Sequence, residues 1–145
     1  MDADSLFTWA SAAVMPGWLI LIFAPRGRWP WLDHIPALIL PLGLSALYAG
    51  LILTHFHGAG GGFGSIAQVR ALFASDFGLL AGWVHYLAFD LMIGAMMAGQ
   101  MDRLGLSRLS QAPLLAMIFL FGPLGVFLIW AAQGSMRLMG KGGAI

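Results

Sequence analysis

Of the chain's 145 residues, 60% are hydrophobic and 9% charged, against roughly 45–50% and 25% in ordinary soluble domains, so it reads as a membrane protein of one domain. A formal net charge of +1, with seven Lys and Arg scattered through loops and ends, excludes the broad cationic face that nucleic acid requires. Zero cysteines exclude disulfides, thiolate nucleophiles, iron–sulfur clusters and zinc ribbons, leaving His, Asp, Tyr, Ser, Thr or a bound cofactor to carry any chemistry.

A spanning helix needs roughly 20 mainly apolar residues, and four windows qualify: Leu6–Ala24, Ile35–Leu53, Leu79–Met101 and Pro113–Ala132. Asp2 and Asp4, with no Lys or Arg before Arg26, lack the basic start of a cleavable signal, so the first span is expected to remain. Arg26, Arg28 and Asp33 among Pro25, Pro30, Trp29 and Trp31 mark a tight interfacial turn into the second span. That span ends at His55-Phe56-His57-Gly58. The glycine cluster after it has no strand-flanked phosphate fingerprint and reads as a flexible linker.

Ser65 then caps a short amphipathic helix expected on the membrane surface, with Ile66, Val69, Leu72 and Phe73 on its apolar side and Gln68 and Arg70 on its wet side. Arg103 and Arg108 separate the last two spans, and Arg137 and Lys141 follow the fourth. Lys and Arg number four beside the first and third loops against three opposite, which puts those loops in the cytoplasm and both termini outside. Pro16, Pro41 and Pro123 fall inside spans and are expected to kink them. The expected fold is all-α: an integral membrane four-helix bundle with a short amphipathic interfacial helix between the second and third spans. Gly43, Gly50 and Gly94 offer small surfaces for close helix contact, which also allow a homodimer.

The third span carries the chemistry. Between Leu79 and Met101 the side chains that ordinarily ionise are His85 and Asp90. An acid at that depth costs roughly 2.5–3.5 kcal/mol on insertion scales and usually faces a bundle interior or a watery cavity. Asp90 is therefore a functional-site candidate; the plainer alternatives are that it hydrogen-bonds a neighbouring helix and that His85 sits at the interface. At about 100° and 1.5 Å per residue, Asp90 lies about 140° around the helix from His85 and about 7.5 Å deeper. Trp83, Leu87, Asp90, Gly94 and Met97 share one face, and His85, Phe89, Met92 and Met96 another. A ligand wedged between helices could touch both.

Four antiparallel spans also put His55, His57, Asp76 and His85 on one side of the membrane, where imidazole and carboxylate could hold iron or zinc. The spacing is poor: His55 and His57 are splayed two residues apart, and no second histidine stands four from His85. No metal is expected, with iron on those four residues as the alternative.

Leu6-Phe7-Thr8-Trp9 with Pro16 and Ala24-Pro25, then Phe73-Ala74-Ser75-Asp76, Trp83-Val84-His85 through Asp90-Leu91, and Phe121-Gly122-Pro123-Leu124-Gly125 resemble the abscisic-acid-deficient-four-like family. Its plant members are required for neoxanthin formation. The similarity runs from about Leu6 to Arg137, and the matching positions are Trp9, Asp76, Trp83, His85, Asp90 and Pro123. The glycine-rich loop and the pair His55 and His57 depart from it.

The resemblance implies carotenoid chemistry in a membrane: rearrangement of a xanthophyll 5,6-epoxide such as violaxanthin to allenic neoxanthin, without net oxidation and without a cofactor. An acid and a base suffice. Asp90 is expected as proton donor, His85 as base and Asp76 as an orienting group, with Trp9, Trp83, Phe89, Met92 and Pro123 lining the substrate slot. Stripes of aromatics and Met at helical spacing serve plain packing more often. The absence of a transit peptide suits a bacterial inner-membrane relative, whose substrate is then another xanthophyll or isoprenoid drawn from membrane lipid. Alternatives are a non-catalytic carotenoid-binding or assembly protein, a metal-dependent carotenoid oxygenase, and a small transporter that uses Asp90 as an ion site.

Overall fold

The computed structural model describes residues 2–25, 27–55, 58 and 60–138, the last three without side chains. Six helices follow in order: α1 Ala3–Phe23, α2 Pro30–His55, α3 Ile66–Leu72, α4 Asp76–Arg103, α5 Arg108–Phe121 and α6 Pro123–Leu138, with no strand among the described residues. Three of them, α1, α2 and α4, are long and apolar enough to cross a membrane, at 21, 26 and 28 residues. The Asp2 carboxylate caps α1 by accepting from Ser5 N at 2.7 Å, and Ser65 and Ser75 do the same for α3 and α4, accepting from Gln68 N and Gly78 N.

Proline shapes α2 without ending it. Pro36 and Pro41 have no N–H to donate, and the ladder opens into a π turn over Ile35–Ile39 that closes with Leu40 N bonded to Ile35 O. Between α2 and α3, residues 61–64 pack instead of forming the flexible linker expected from their glycines. Gly62 N donates to Gln68 O at 3.2 Å, Gly64 N donates to Gln68 Oε1 at 2.9 Å, and a Cβ on Gly61 would overlap the backbone of Leu72. With no side chain at Gly61, Gly62 and Gly64, the loop lies directly against α3, while Phe63 is 77% exposed.

Helix α4, about 42 Å long at 1.5 Å per residue, is the central post, packed against both α1 and α2. Val84, Leu91, Ala98 and Met101 are fully buried along it, and Gly17 and Gly94 let α1 come close, with Trp18 seated against Gly94 and Leu91 against Gly17.

The fourth span expected over Pro113–Ala132 is replaced by two short helices that reverse at Gly122. Gly122 has φ +44, a left-handed conformation disfavoured for other residues, and Pro123 after it cannot continue the ladder. A Cβ on Gly125 would lie 2.7 Å from Ile118 Cα, seven residues back; in one continuous helix those positions stand roughly 10 Å apart. The direction of α6 follows from one bond. Gln100 Nε2 donates to Gln133 Oε1 at 3.1 Å, and Gly122 lies against Asp90. From these two anchor points α4 and α6 advance side by side, so α6 returns to the face from which α5 entered. At 14 residues, α5 is about 21 Å long, short of the roughly 30 Å hydrocarbon core. The C-terminal segment is a re-entrant hairpin.

This topology changes the orientation argument. Asp2 and Leu138 lie on opposite faces, not on the same face as four full spans require. Among the described residues, the positions of Arg28, Arg103, Arg108 and Arg137 fall on one face and Arg70 alone on the other. By the rule that positive residues flank spans on the cytoplasmic side, this asymmetry predicts the face holding the α4–α5 loop to be the cytoplasmic one. On that face, Arg108 approaches Asp102 at 3.9 Å and Gln111 Nε2 donates to Asp102 Oδ1 at 2.8 Å, tying the mouth of the hairpin to the end of α4.

Candidate functional site

Asp90 stands midway along α4 with 7% of its surface exposed. The apex of the hairpin lies directly on it: a Cβ at Gly122 would come within 2.7 Å of Oδ1 and 3.1 Å of Oδ2. Glycine is therefore required there twice over, by the backbone and by the carboxylate. Tyr86, one helical turn earlier, is the polar side chain that interacts with Asp90, and its hydroxyl also reaches the Phe119 carbonyl at 3.5 Å. Asp90 Oδ2 has no hydrogen-bond partner among the described residues. A buried polar oxygen left so costs about 1–3 kcal/mol, partly offset by the positive end of α6, which starts beside it.

Because the hairpin turns back at the depth of Asp90, nothing fills the outer half of the space between α1 and α4. A cavity of about 490 Å³ opens there, walled by Phe7, Asp76, Leu80, Trp83 and Tyr86. Trp83 Nε1 donates to Ser11 Oγ at 2.9 Å, and its ring packs 5.4 Å from Phe7 and 5.5 Å from Tyr86. On the other side of α4, under α3 and against α2, lies a cavity of about 230 Å³ walled by Tyr48, His55, Phe63, Phe77 and His85. His85 stacks on Phe89 at 4.6 Å and leans on Tyr48 at 5.6 Å; His55 stacks on Phe77 at 4.0 Å and shares a 2.6 Å bond with the Thr54 hydroxyl. Phe73 and Gly82 belong to both walls.

The expected site residues are thus divided between two compartments. His85 lines the smaller cavity; Asp90 touches neither directly but contacts Tyr86, which lines the larger. They are not in contact, as their angular separation on the helix dictates. Asp76, exposed in the first turn of α4, lines the Trp83 cavity and not that of His85. Phe89 and Met92 are about half exposed on the outer face, Phe89 against His85, and Met92 lines neither cavity. Trp9 is 68% exposed and lies outside both, and exposed Pro123 opens α6 next to Gly122. Among the described residues, no three His, Asp or Glu side chains gather as a metal site. His55 and His85 share the small cavity, Asp76 lies in the other, and His57 falls outside the described residues.

Three residues with a part in this geometry did not emerge from sequence reasoning: Tyr86, Gly82 and Phe73 in its role as a shared wall. The signal for Tyr86 was present in its spacing, four residues before the buried acid and so stacked above it on one face. Gly82 and Phe73 carried no comparable mark.

A family model described as ABA DEFICIENT 4-like matches residues 5–129, from α1 into α6. No curated protein and no solved structure matches the chain. The family is linked to neoxanthin synthesis, which supports a carotenoid-related membrane role for the chain. With most of its length under that match, the chain belongs to the ABA DEFICIENT 4-like family.

Proposed function

We propose that this protein isomerises a xanthophyll 5,6-epoxide, or a closely related isoprenoid epoxide, within the membrane by general acid–base catalysis. A proton goes to the epoxide oxygen, the ring C–O bond opens, and a proton leaves the polyene carbon beside the ring; the molecular formula is unchanged. Asp90 acts as the proton reserve and Tyr86 as its outlet into the larger cavity, while His85 in the smaller cavity takes the proton from carbon. The observation that carries the reading is that Tyr86 and His85, adjacent in sequence, line two apolar cavities that meet at Gly82. An end-ring held beside His85 with its epoxide edge at Gly82 would have the imidazole on its own side and, across the glycine, a phenol backed by a buried carboxylate. Asp76, at the rim of the larger cavity, is the orienting group on that side. The chemistry calls for no metal, and the ligand arrives from surrounding lipid; a bacterial inner membrane is the setting proposed.

The test supplies violaxanthin to membranes containing the protein and separates products by retention and mass. An isomer of unchanged mass is expected, with Asp90→Asn and His85→Gln each lowering the rate more than about tenfold, roughly 1.4 kcal/mol of barrier. Pigment that co-purifies unchanged would make the protein a carrier. A product gaining oxygen or cleaved, with iron retained and lost on His85→Ala, would make it an oxygenase using the His55 and His85 cavity.

A further inference from the structure

The two cavities meet at Phe73 and Gly82, which line both. Phe73, in the turn between α3 and α4, walls both, and its ring lies on the backbone of Gly82, where a Cβ would overlap Phe73 Cε1 and stand 3.2 Å from Cζ. Any side chain at 82 would close this saddle; glycine leaves it just deep enough for a flat apolar group. The His85 cavity alone does not suit a long ligand, since at about 230 Å³ it falls below the roughly 300 Å³ where pockets for drug-sized molecules begin. Phe73 is also 42% exposed and stands in a turn, not within a helix, so its ring is not locked in a packed core.

We infer that the Phe73 ring occupies, in the empty protein, the position that a ligand's conjugated chain takes when bound, so that Phe73 and Gly82 select linear polyenes carrying an end-ring. The inference rests on the proposed function and adds the binding mode. The end-ring enters the cavity beside His85 and Tyr48, the flat chain crosses Gly82 in place of the Phe73 ring, and the chain continues past Trp83 and Phe7. Phe73 is a positioning and specificity residue here, and it touches no reacting atom.

The experiment titrates purified protein with two probes, β-ionone as an isolated end-ring and zeaxanthin as a full-length polyene. It reads Trp quenching and the shift of the polyene absorption band, with helicity and thermal unfolding in detergent checked for each variant. Phe73→Ala is expected to tighten zeaxanthin binding by about fivefold, because no ring has to be displaced, and to leave β-ionone within about twofold. Gly82→Leu, which fills the saddle, is expected to weaken zeaxanthin by at least about tenfold while β-ionone still binds. Phe73→Leu keeps the volume but not the flat ring and serves as the folded control, with zeaxanthin binding close to wild type. Parallel changes for both probes, or no change for either, would overturn the Phe73 inference while leaving a carotenoid function standing. Failure of both probes to bind the unaltered protein would instead sink the carotenoid reading and this inference with it.

Discussion

The two halves of α4 have similar sequence character and different fates. After Asp90, the face that carries Asp90, Gly94, Met97 and Met101 is closed by α1 and by α5, whose Gln111, Leu115 and Ile118 are themselves buried. Cavities of about 460 and 560 Å³ lie beside this half too, reaching from Ala95 and Met96 to Asp102, Arg103 and Arg108. Before Asp90, the corresponding face meets α1 across a cavity and keeps Trp83 at 37% exposure, and the opposite side opens on the His85 cavity. The difference comes from the hairpin: α5 and α6 reach the depth of Asp90 and turn back, so they cover α4 after Asp90 and leave the Trp83 half before it uncovered. A short element inserted from one face creates a cavity on the other without any cavity-specific sequence.

The largest expected effect tests that topology. Single cysteines placed at Asp4 and Ser135 should be modified by an impermeant thiol reagent from opposite sides of oriented vesicles, Ser135 from the cytoplasmic side. Labelling of both from one side would mean a complete fourth span and would remove the contrast between the two halves. Next is the apex. Gly122→Val forces a β-branched residue into φ +44 and pushes its Cβ onto Asp90; the backbone share alone is about 1–3 kcal/mol, read as a loss of folded fraction in detergent unfolding. In the gentler Gly122→Ala background, adding Asp90→Ala should recover the contact share and not the backbone share, and full recovery would show that φ is unstrained.

Smaller is the contrast between glycines in packed and open places. Gly94→Leu must displace Trp18 and should cost about 1–3 kcal/mol by overpacking, whereas Gly43→Leu has open space around it and should leave thermal stability unchanged in detergent. Equal losses would argue that Gly43 is also a contact, as in a homodimer. Smallest is Ser11→Ala, which removes the acceptor of Trp83 Nε1 in the cavity half. About 0.5–1.5 kcal/mol is at stake, and a shift in Trp emission without loss of helicity is the expected readout.

Much of this was legible in residue order. Composition and the apolar windows indicated the three spans, Ser65 was marked as a cap, and 100° per residue already separated Asp90 from His85. These are local properties, set by neighbours along one helix, and they survive whatever packs around it. The reversal at Gly122 was not legible, because hydropathy over Pro113–Ala132 is the same for a kinked span and for a hairpin. What decides between them is whether the freed backbone and the Asp90 carboxylate find each other, and whether Gln133 finds Gln100; those are contacts between distant segments. The glycine loop against Gln68 and the place of Phe73 on Gly82 belong to the same class. Sequence alone determined that this chain lives in a membrane and where it holds its acid. Tertiary structure decided which half of the central helix is left uncovered, because depth of insertion depends on long-range packing that no local pattern records.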